Sequence, residues 1–438
     1  MDYSRRKVVR LGGIAAGSSL LPAQVTSSRK VRLGVIGSGN RGQALMRAFT
    51  RIPEVEITAI SDVNEPVMDE AQRLLDQLPG RFHPARAVNY EDMLGRRDVD
   101  AVLIATPEHW HGLPCIHACQ AGKHVYVEKP VSHNVVEGRR MVQAVREHGV
   151  IAMAGTQQRG SAHFRRAVEI VQSGRLGRVI KVHCWNNQKS GTRFPVVPDS
   201  DPPGGLHWDR WLGPARFAPF NTRRLEHRLW MDYGGSYMTD WGVHHMDIIL
   251  WAMNAGSPEY VSCSARRLDT EEAGDAPDFI EAIWDFPGFI VTYSYSKFSD
   301  FHWARNRPYD HGICFYGSEA TLILDRFGFD VWTTPERGKD GVQAQSMPRE
   351  NMAERTNVVG LDAWSKQFVE AVRDGRPSPV DIEQSHRATV ACLLANIAWQ
   401  TGRRLRWRAE DETIVNDTEA SARLSEQARR GYELPKKV

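Results

Sequence analysis

The chain has 438 residues, 41% of them hydrophobic and 25% charged, which is ordinary for a globular protein of two or three domains. That balance excludes a disordered chain or a fibre, and no apolar run reaches the 18 or so residues needed to span a bilayer. The six cysteines (Cys115, Cys119, Cys184, Cys263, Cys314, Cys392) form no CxxC pair and read as small hydrophobes rather than a disulfide scaffold.

The net charge of +3 comes from the N-terminus. Ser4-Arg5-Arg6-Lys7-Val8-Val9-Arg10 precedes the small, apolar stretch from Leu11 to Leu21 and then Pro22-Ala23. A twin arginine ahead of a short, weakly hydrophobic segment reads as a Tat export signal over residues 1–28, against the plainer alternative of a frayed basic tail. Cleavage near Ala23 would remove Asp2 and the four bases Arg5, Arg6, Lys7 and Arg10, leaving a neutral chain. Such a chain has no electrostatic footprint for nucleic acid or an anionic membrane.

Residues 29–154 alternate short apolar strands with amphipathic segments. The expected strands are Val31–Ile36, Glu54–Ile60, Ala101–Ala105, His124–Glu128 and Val150–Ala154. The expected helices are Arg41–Thr50, Glu65–Leu75, Leu113–Ala121 and Val135–Glu147. Near-continuous apolar strands separated by helices predict a doubly wound parallel α/β sheet covered on both faces. Residues 155–438 have a different character. A helix at Ala162–Ser173 and a strand at Val179–Asn186 lead into a Pro/Gly-rich loop (Pro195 to Gly205), and a Trp-rich segment containing Trp208 and Trp211 follows. A long helix from about Ser236 to Asn254 comes next. Period-two strands then succeed one another at Tyr260–Arg266, Ile280–Phe286, Ile290–Phe298, Ile313–Tyr316, Thr321–Leu324 and Asp330–Thr333, predicting an open, largely antiparallel sheet. Helices at Leu361–Arg373 and Ile382–Thr401 close the chain.

The first strand runs into Gly37-Ser38-Gly39-Asn40-Arg41-Gly42 and then a helix. This GxGxxG has the strand–loop–helix context that a dinucleotide site requires. Gly37 permits the tight turn, Gly39 lets the backbone approach a pyrophosphate, and Gly42 brings the helix close to the strand. The helix N-terminus supplies free N–H donors and a positive dipole end. The second strand delivers Asp62, twenty residues beyond Gly42, where a carboxylate can accept hydrogen bonds from ribose hydroxyls and repel a 2′-phosphate. No base follows in Val63-Asn64-Glu65-Pro66, so NAD is favoured over NADP. An ordinary βα turn with a surface Asp is the alternative.

Further on, the fourth strand ends in Ala105-Thr106-Pro107-Glu108-His109-Trp110-His111 and the fifth in Glu128-Lys129-Pro130. Gly234-Gly235 opens a run that reaches Asp240-Trp241-Gly242-Val243-His244-His245-Met246-Asp247. With the glycine loop, these segments resemble the Gfo/Idh/MocA family of sugar and polyol oxidoreductases over essentially the whole chain after the leader. Tyr316-Gly317-Ser318-Glu319-Ala320 and the helix entered by Asp381-Ile382-Glu383 agree. The resemblance implies a Rossmann domain followed by an α/β domain whose open sheet often forms an oligomer interface. It also implies a catalytic set mapping onto Lys129, Asp240 and His244, with NAD contacts from the glycine loop, Asp62, Ala105, Thr106, Pro107, His109, His111, Glu128 and Lys129.

Oxidising a carbinol requires a base for the hydroxyl proton and a fixed cofactor face. Asp240 and His244 stand at i and i+4, one face of a helix, so the carboxylate is expected to orient the imidazole and stabilise its protonated form. Spacing from Asp240 favours His244 over His245. The Lys129 ammonium, at the carboxyl edge of the sheet, is placed to stabilise a developing alkoxide. Taken singly, a solvated lysine and a helix-surface pair would explain the same residues. His109 and His111 serve equally as ligand contacts or as packing for Trp110. A metal site built from His109, His111, His244 and His245 lacks the usual spacings. Trp208, Trp211, Trp230 and Trp241 could stack on a sugar, but packing is the commoner role. Gln157, Gln158 and Arg159 lie where the second domain opens.

Three functions remain open on the sequence. The first is an exported NAD-dependent sugar or polyol oxidoreductase with a retained cofactor. The second is a redox-neutral, NAD-dependent glycosidase or lyase passing through a 3-keto intermediate, which needs no flanking carboxylate pair. The third is a non-enzymatic sugar-binding protein on a degenerate dehydrogenase fold.

Overall fold

The computed structural model describes residues 30–187, 193–298, 310–333, 348–353 and 360–437, so the expected export segment lies outside the described residues. The first layer follows the predicted alternation. Its elements are β1 (Val31–Ile36), α1 (Asn40–Phe49), β2 (Val55–Ser61), α2 (Glu65–Gln77), β3 (Ala85–Ala87), α3 (Tyr90–Leu94), β4 (Ala101–Ile104), α4 (Gly112–Gln120), β5 (His124–Val127), α5 (Val135–His148) and β6 (Ala152–Ala154). Six parallel strands pair in the order β3-β2-β1-β4-β5-β6. Val31, Leu33 and Val35 on one face of β1 are fully buried, as are all four residues of β4, because helices cover both sides of the sheet. The sequence reading missed β3 and α3, which are too short to show a period. The Asn134 side chain caps α5 by accepting from the Glu137 N–H, and Glu137 reaches back to close a capping box.

The second part contains α6 (Ala162–Gln172), β7 (Val179–Asn187), α7 (Trp208–Leu212), α8 (Ser236–Asp240), α9 (Gly242–Met253), β8 (Tyr260–Arg266), β9 (Phe279–Phe286), β10 (Phe289–Ser296) and β11 (His311–Gly317). After these come β12 (Ala320–Asp325), β13 (Gly328–Thr333), β14 (Pro348–Ala353), α10 (Leu361–Asp374), α11 (Ile382–Thr401), β15 (Leu405–Arg408), β16 (Thr413–Ile414) and α12 (Thr418–Ala422). Its strands form a second sheet, ordered β14-β13-β12-β11-β7-β10-β9-β8-β15-β16. Every pairing is antiparallel except β7 with β10. The fold is therefore an α/β Rossmann sheet joined to a mixed, largely antiparallel open sheet. Among the described residues the cysteines are unpaired, five buried and Cys263 partly so, and no helix is long and apolar enough to cross a membrane.

Two expectations change. The single helix expected from Ser236 to Asn254 is broken at Trp241, whose backbone (φ −103°) interrupts the ladder between α8 and α9. The other change concerns α10, which returns to the first sheet: Leu361, Trp364, Phe368, Val369 and Val372 are buried in the core formed by β1, β2, α1 and Tyr126 of β5. Phe49, Tyr126 and Phe368 meet edge-to-face with centroids 5.5–6.1 Å apart, so a C-terminal helix completes the nucleotide-side core. Meanwhile α11, buried on nearly every side, lies between α5 and the second sheet. Arg139 of α5 grips Glu383 in a two-pronged pair (2.7 and 2.8 Å) and also Glu412 beyond β15. The two halves are thus clamped as well as packed.

Truncating Phe368 removes one corner of that aromatic cluster. Phe368→Ala is expected to lower unfolding free energy by about 3–5 kcal/mol, as large-to-small core changes do. Urea denaturation with an unchanged slope would measure it.

Candidate active site

A cleft of about 700 Å³ opens at the carboxyl ends of β1 and β4, where the strand order reverses, and extends to α8 and α9 of the second part. The glycine loop forms its floor. Gly37 takes φ +88°, and a Cβ at Gly42 would stand 2.0 Å from the Gly37 carbonyl, so only glycine allows α1 so close to the strand. A Cβ at Gly39 would meet nothing within 4 Å. Gly39 therefore faces open space at the N-terminus of a ten-residue helix, a fit for a pyrophosphate. Gly37, Gly39, Asn40 and Arg41 line the cleft; Ser38 and Gly42, expected among the cofactor contacts, do not. Ser38 is fully buried and contributes its backbone N–H to Asp62 instead, while Gly42 acts through packing.

Asp62, just after β2, lines the same end of the cleft as the glycine loop. Its Oδ2 accepts from the Ser38 N–H (2.6 Å) and its Oδ1 from the Asn64 N–H (2.9 Å), which fixes the carboxylate's orientation. Burial pushes its pKa up to about 6, against the opposing effect of those donors. The second part closes over this end, since the Glu65 N–H donates to Gly205 and the His207 N–H to the Val63 carbonyl. Trp211 of α7 lines the cleft there, stacked on Trp208 with centroids 4.8 Å apart. Trp208 therefore packs rather than facing a ligand.

Ala105, Thr106 and Pro107 form the wall after β4. His109 leaves it: its ring is buried between the carbonyls of Trp211 (3.0 Å) and Tyr233 (3.3 Å), and burial lowers its pKa to about 3. It is a neutral packing residue, a correction to the expected cofactor contact. His111 does line the cleft, but its two nitrogens lie 2.6 Å from the Pro130 carbonyl and 3.0 Å from that of Thr106, which ties the ring into the wall. Among the described residues no group of three or more His, Cys, Asp or Glu side chains is arranged to hold a metal. Arg41 and Glu128 meet at 2.7 Å across the floor, so the positive charge of the glycine loop is partnered from the end of β5.

At the opposite end of the cleft Lys129, Asp240 and His244 converge. Lys129 follows β5 through a cis peptide to Pro130. Its Nζ donates to Asp240 Oδ1 at 2.6 Å and to the Asp240 carbonyl at 2.7 Å. Arg228 approaches Asp240 Oδ2 at 3.2 Å. Burial would raise the Asp240 pKa, but Arg228 and Lys129 together hold it well below the usual carboxylate range. The Asp240–His244 pairing expected from i,i+4 spacing is absent, because the break at Trp241 takes Asp240 out of the ladder and Lys129 claims its carboxylate. His244 faces the cleft with its Nδ1 buried and unbonded, whereas His245 lies behind, against Trp241 and Tyr293. Burial, then the charges of Lys129 and Arg326, lower the His244 pKa well below its ordinary value. The imidazole is thus a neutral acceptor at neutral pH, as expected of the proton-taking group, but without the Asp240 partner that the spacing predicted for its protonated form.

Glu108, passed over in the sequence reading, is what positions this end. Its buried Oε2 accepts from the Gly235 N–H (2.9 Å) and the Thr239 hydroxyl (3.0 Å), fixing the start of α8 against the β4 loop. Burial raises its pKa. Arg159 and Asp247, by contrast, form a buried pair (2.7 Å) outside the cleft, so the last Asp of the second motif serves packing. Gln157 lines the cleft, while Gln158 is buried beside it.

Residues 31–156 match the model of an oxidoreductase family with an NAD-binding Rossmann fold, and residues 164–323 match the C-terminal domain of the same family. The chain belongs to the Gfo/Idh/MocA oxidoreductase family. An inositol 2-dehydrogenase of Saccharopolyspora erythraea is 33% identical over 172 residues, covering 39% of this chain and 47% of that protein. A glycosyl hydrolase family 109 protein of a Shewanella species is 39% identical over 127 residues, 28% of each chain. Matches to the first curated relatives span from 28% to 69% of their length. Among solved structures, a levoglucosan dehydrogenase in complex with NADH and levoglucosan superposes with a TM-score of 0.66 at 17% identity, over 86% of this chain and 99% of that one; it shares the fold.

In this Gfo/Idh/MocA chain, the Asp62 carboxyl is protonated below about pH 6, which removes an acceptor that the ribose hydroxyls of NAD would use. NAD affinity is therefore expected to fall as pH drops from about 7 to about 5. Asp62→Asn should weaken binding and flatten that dependence, as read by NADH fluorescence titration.

Proposed function

We propose that this chain is an NAD-dependent oxidoreductase that oxidises a carbinol carbon of a sugar, polyol or sugar derivative. The convergence of Lys129, Asp240 and a neutral, cleft-facing His244 at the end of the cleft remote from Asp62 carries this reading. The relatives' names support it, and the joined Lys129–Asp240 pair supports an enzyme over a bare binding protein.

NAD bound along the glycine loop would supply the hydride acceptor. The chain's own residues supply the proton chemistry. His244 takes the proton of the substrate hydroxyl as the carbon loses its hydride, and its depressed pKa keeps it free to do so at neutral pH. The Lys129 ammonium, held by both the side chain and the carbonyl of Asp240, stabilises the negative charge that grows on the substrate oxygen. Asp240 keeps Lys129 in register, and Glu108 keeps the start of α8 in register with the β4 loop.

The glycosyl hydrolase family 109 relative favours a second reading, redox-neutral cleavage of a glycoside through a transient ketone on the same residues. Export by the twin-arginine segment, which we include in the proposal, suits either chemistry if the cofactor is loaded before transport and retained. Self-association fits the outer face of the second sheet, where Ile283, Ile290 and Tyr316 are exposed.

His244→Ala and Lys129→Ala are each expected to lower kcat by about 10²–10⁴-fold while NAD still binds. Unchanged turnover in both would sink the assignment. In the wild type, the acid limb of kcat/KM should fall below the ordinary histidine pKa of about 6.5, since the His244 pKa is lowered. Mass spectrometry of protein purified without added cofactor should find near-stoichiometric NAD(H). Cleavage of glycosides by that protein, with no added NAD, would favour the second reading.

A further inference from the structure

Among the described residues, one cation of the cleft has no carboxylate within ion-pair distance. Arg41 is paired with Glu128, Lys129 and Arg228 are both paired with Asp240, and Arg210 lies 4.0 Å from Glu91. Arg326 stands in the two-residue turn between β12 and β13 and reaches the cleft, its guanidinium over the Trp241 ring at 4.2 Å. No carboxylate bridges it among the described residues. Among the described residues it makes one hydrogen bond, a long one from Nη2 to Gln158 Oε1 at 3.4 Å, and its buried Nε has no partner. Burial lowers its pKa only to about 10, so it remains charged. The substrate end of the cleft therefore brings Lys129, Arg228 and Arg326 together with the carboxylates of Asp240, Glu108 and Glu226, and of these three cations Arg326 alone has no ion pair to a described carboxylate.

A buried, unsatisfied N–H on a charged guanidinium is costly unless a ligand completes it. The planar fork, braced on Trp241, presents the donor geometry that binds a carboxylate with two parallel hydrogen bonds. We infer that the substrate is an acidic sugar, a uronic or aldonic acid, whose carboxylate is held by Arg326 while its reacting carbinol lies at Lys129 and His244. The inference rests on the oxidoreductase reading for the second half of that statement only; anion binding by Arg326 does not depend on turnover.

The test is isothermal calorimetry on the full chain loaded with NAD, titrated with pairs that differ only in CH2OH against carboxylate. Glucose with glucuronate, galactose with galacturonate and glucitol with gluconate serve, together with glucose 6-phosphate. At least one acid is expected to bind about 10- to 100-fold more tightly than its neutral partner, the range of a charged hydrogen bond in a shielded site. Arg326→Met should abolish that ratio, and Arg326→Lys should restore part of it. The NAD dissociation constant of each variant reports whether the cleft is folded. Neutral sugars binding as well as the acids, or a preference for acids that survives Arg326→Met, would overturn the proposal. An Arg326-dependent preference for the phosphate alone would overturn the carboxylate assignment. Acids that bind through Arg326 but are neither oxidised nor cleaved would leave this inference standing and count against the proposed function instead.

Discussion

The ion pair between Lys129 and Asp240 joins the two halves of the protein at the point where chemistry is proposed. Each partner is largely buried, with side chains 13% and 11% exposed. Desolvating two such charges costs several kcal/mol each, so the pair is retained for what it fixes more than for net stability. It fixes the end of β5 against the break between α8 and α9. Glu108 does the same from the β4 loop, receiving the N–H of Gly235 and the hydroxyl of Thr239. The geometry of the cleft thus follows from two carboxylates that face opposite ways across one interface.

The charges around this interface also set the state of His244. Asp240 is committed to Lys129 and Arg228, leaving the imidazole with positive neighbours and a buried, unbonded Nδ1. Both effects favour the neutral ring. Had the i,i+4 pairing formed, the carboxylate would have raised the histidine pKa and made it a better acid than base. The break at Trp241 decides between these outcomes. It also turns the Trp241 ring toward the cleft, where Arg326 rests on it.

The Rossmann half was legible because its signals are local. The glycine loop depends on close approach between neighbouring segments, and buried parallel strands read as apolar runs whatever their partners. The convergence of Lys129, Asp240 and His244 on one cleft was accessible only through the resemblance to the Gfo/Idh/MocA pattern, since 111 residues separate the lysine from the aspartate. Their wiring was not legible at all. Spacing alone joined Asp240 to His244, and only the tertiary competition from Lys129 shows otherwise. His109 misled for a related reason: a histidine in a post-strand loop looks like a ligand until two carbonyls from residues 211 and 233 are found around it. Ser38 likewise sits inside the motif yet turns its side chain away from the cleft. Short strands such as β3, β15 and β16 carry too few residues to show a period, and α10 gives no sign in its own sequence that it serves the first sheet.

The nucleotide end of the cleft is assembled mostly from continuous sequence, whereas the substrate end draws on residues 129, 228, 240, 244 and 326 from separate loops and helix ends. This division has a physical consequence. Changes in the β12–β13 turn or the loop carrying Arg228 alter the charge seen by a substrate without touching the glycine loop, Asp62 or the Arg41–Glu128 pair. Substrate choice is therefore free to vary on a fixed cofactor frame, and membership of the family constrains the reaction more than it constrains the molecule acted upon. Here the turn supplies a guanidinium that rests on an indole face and has no carboxylate partner among the described residues, a feature set by one two-residue turn and independent of the cofactor frame.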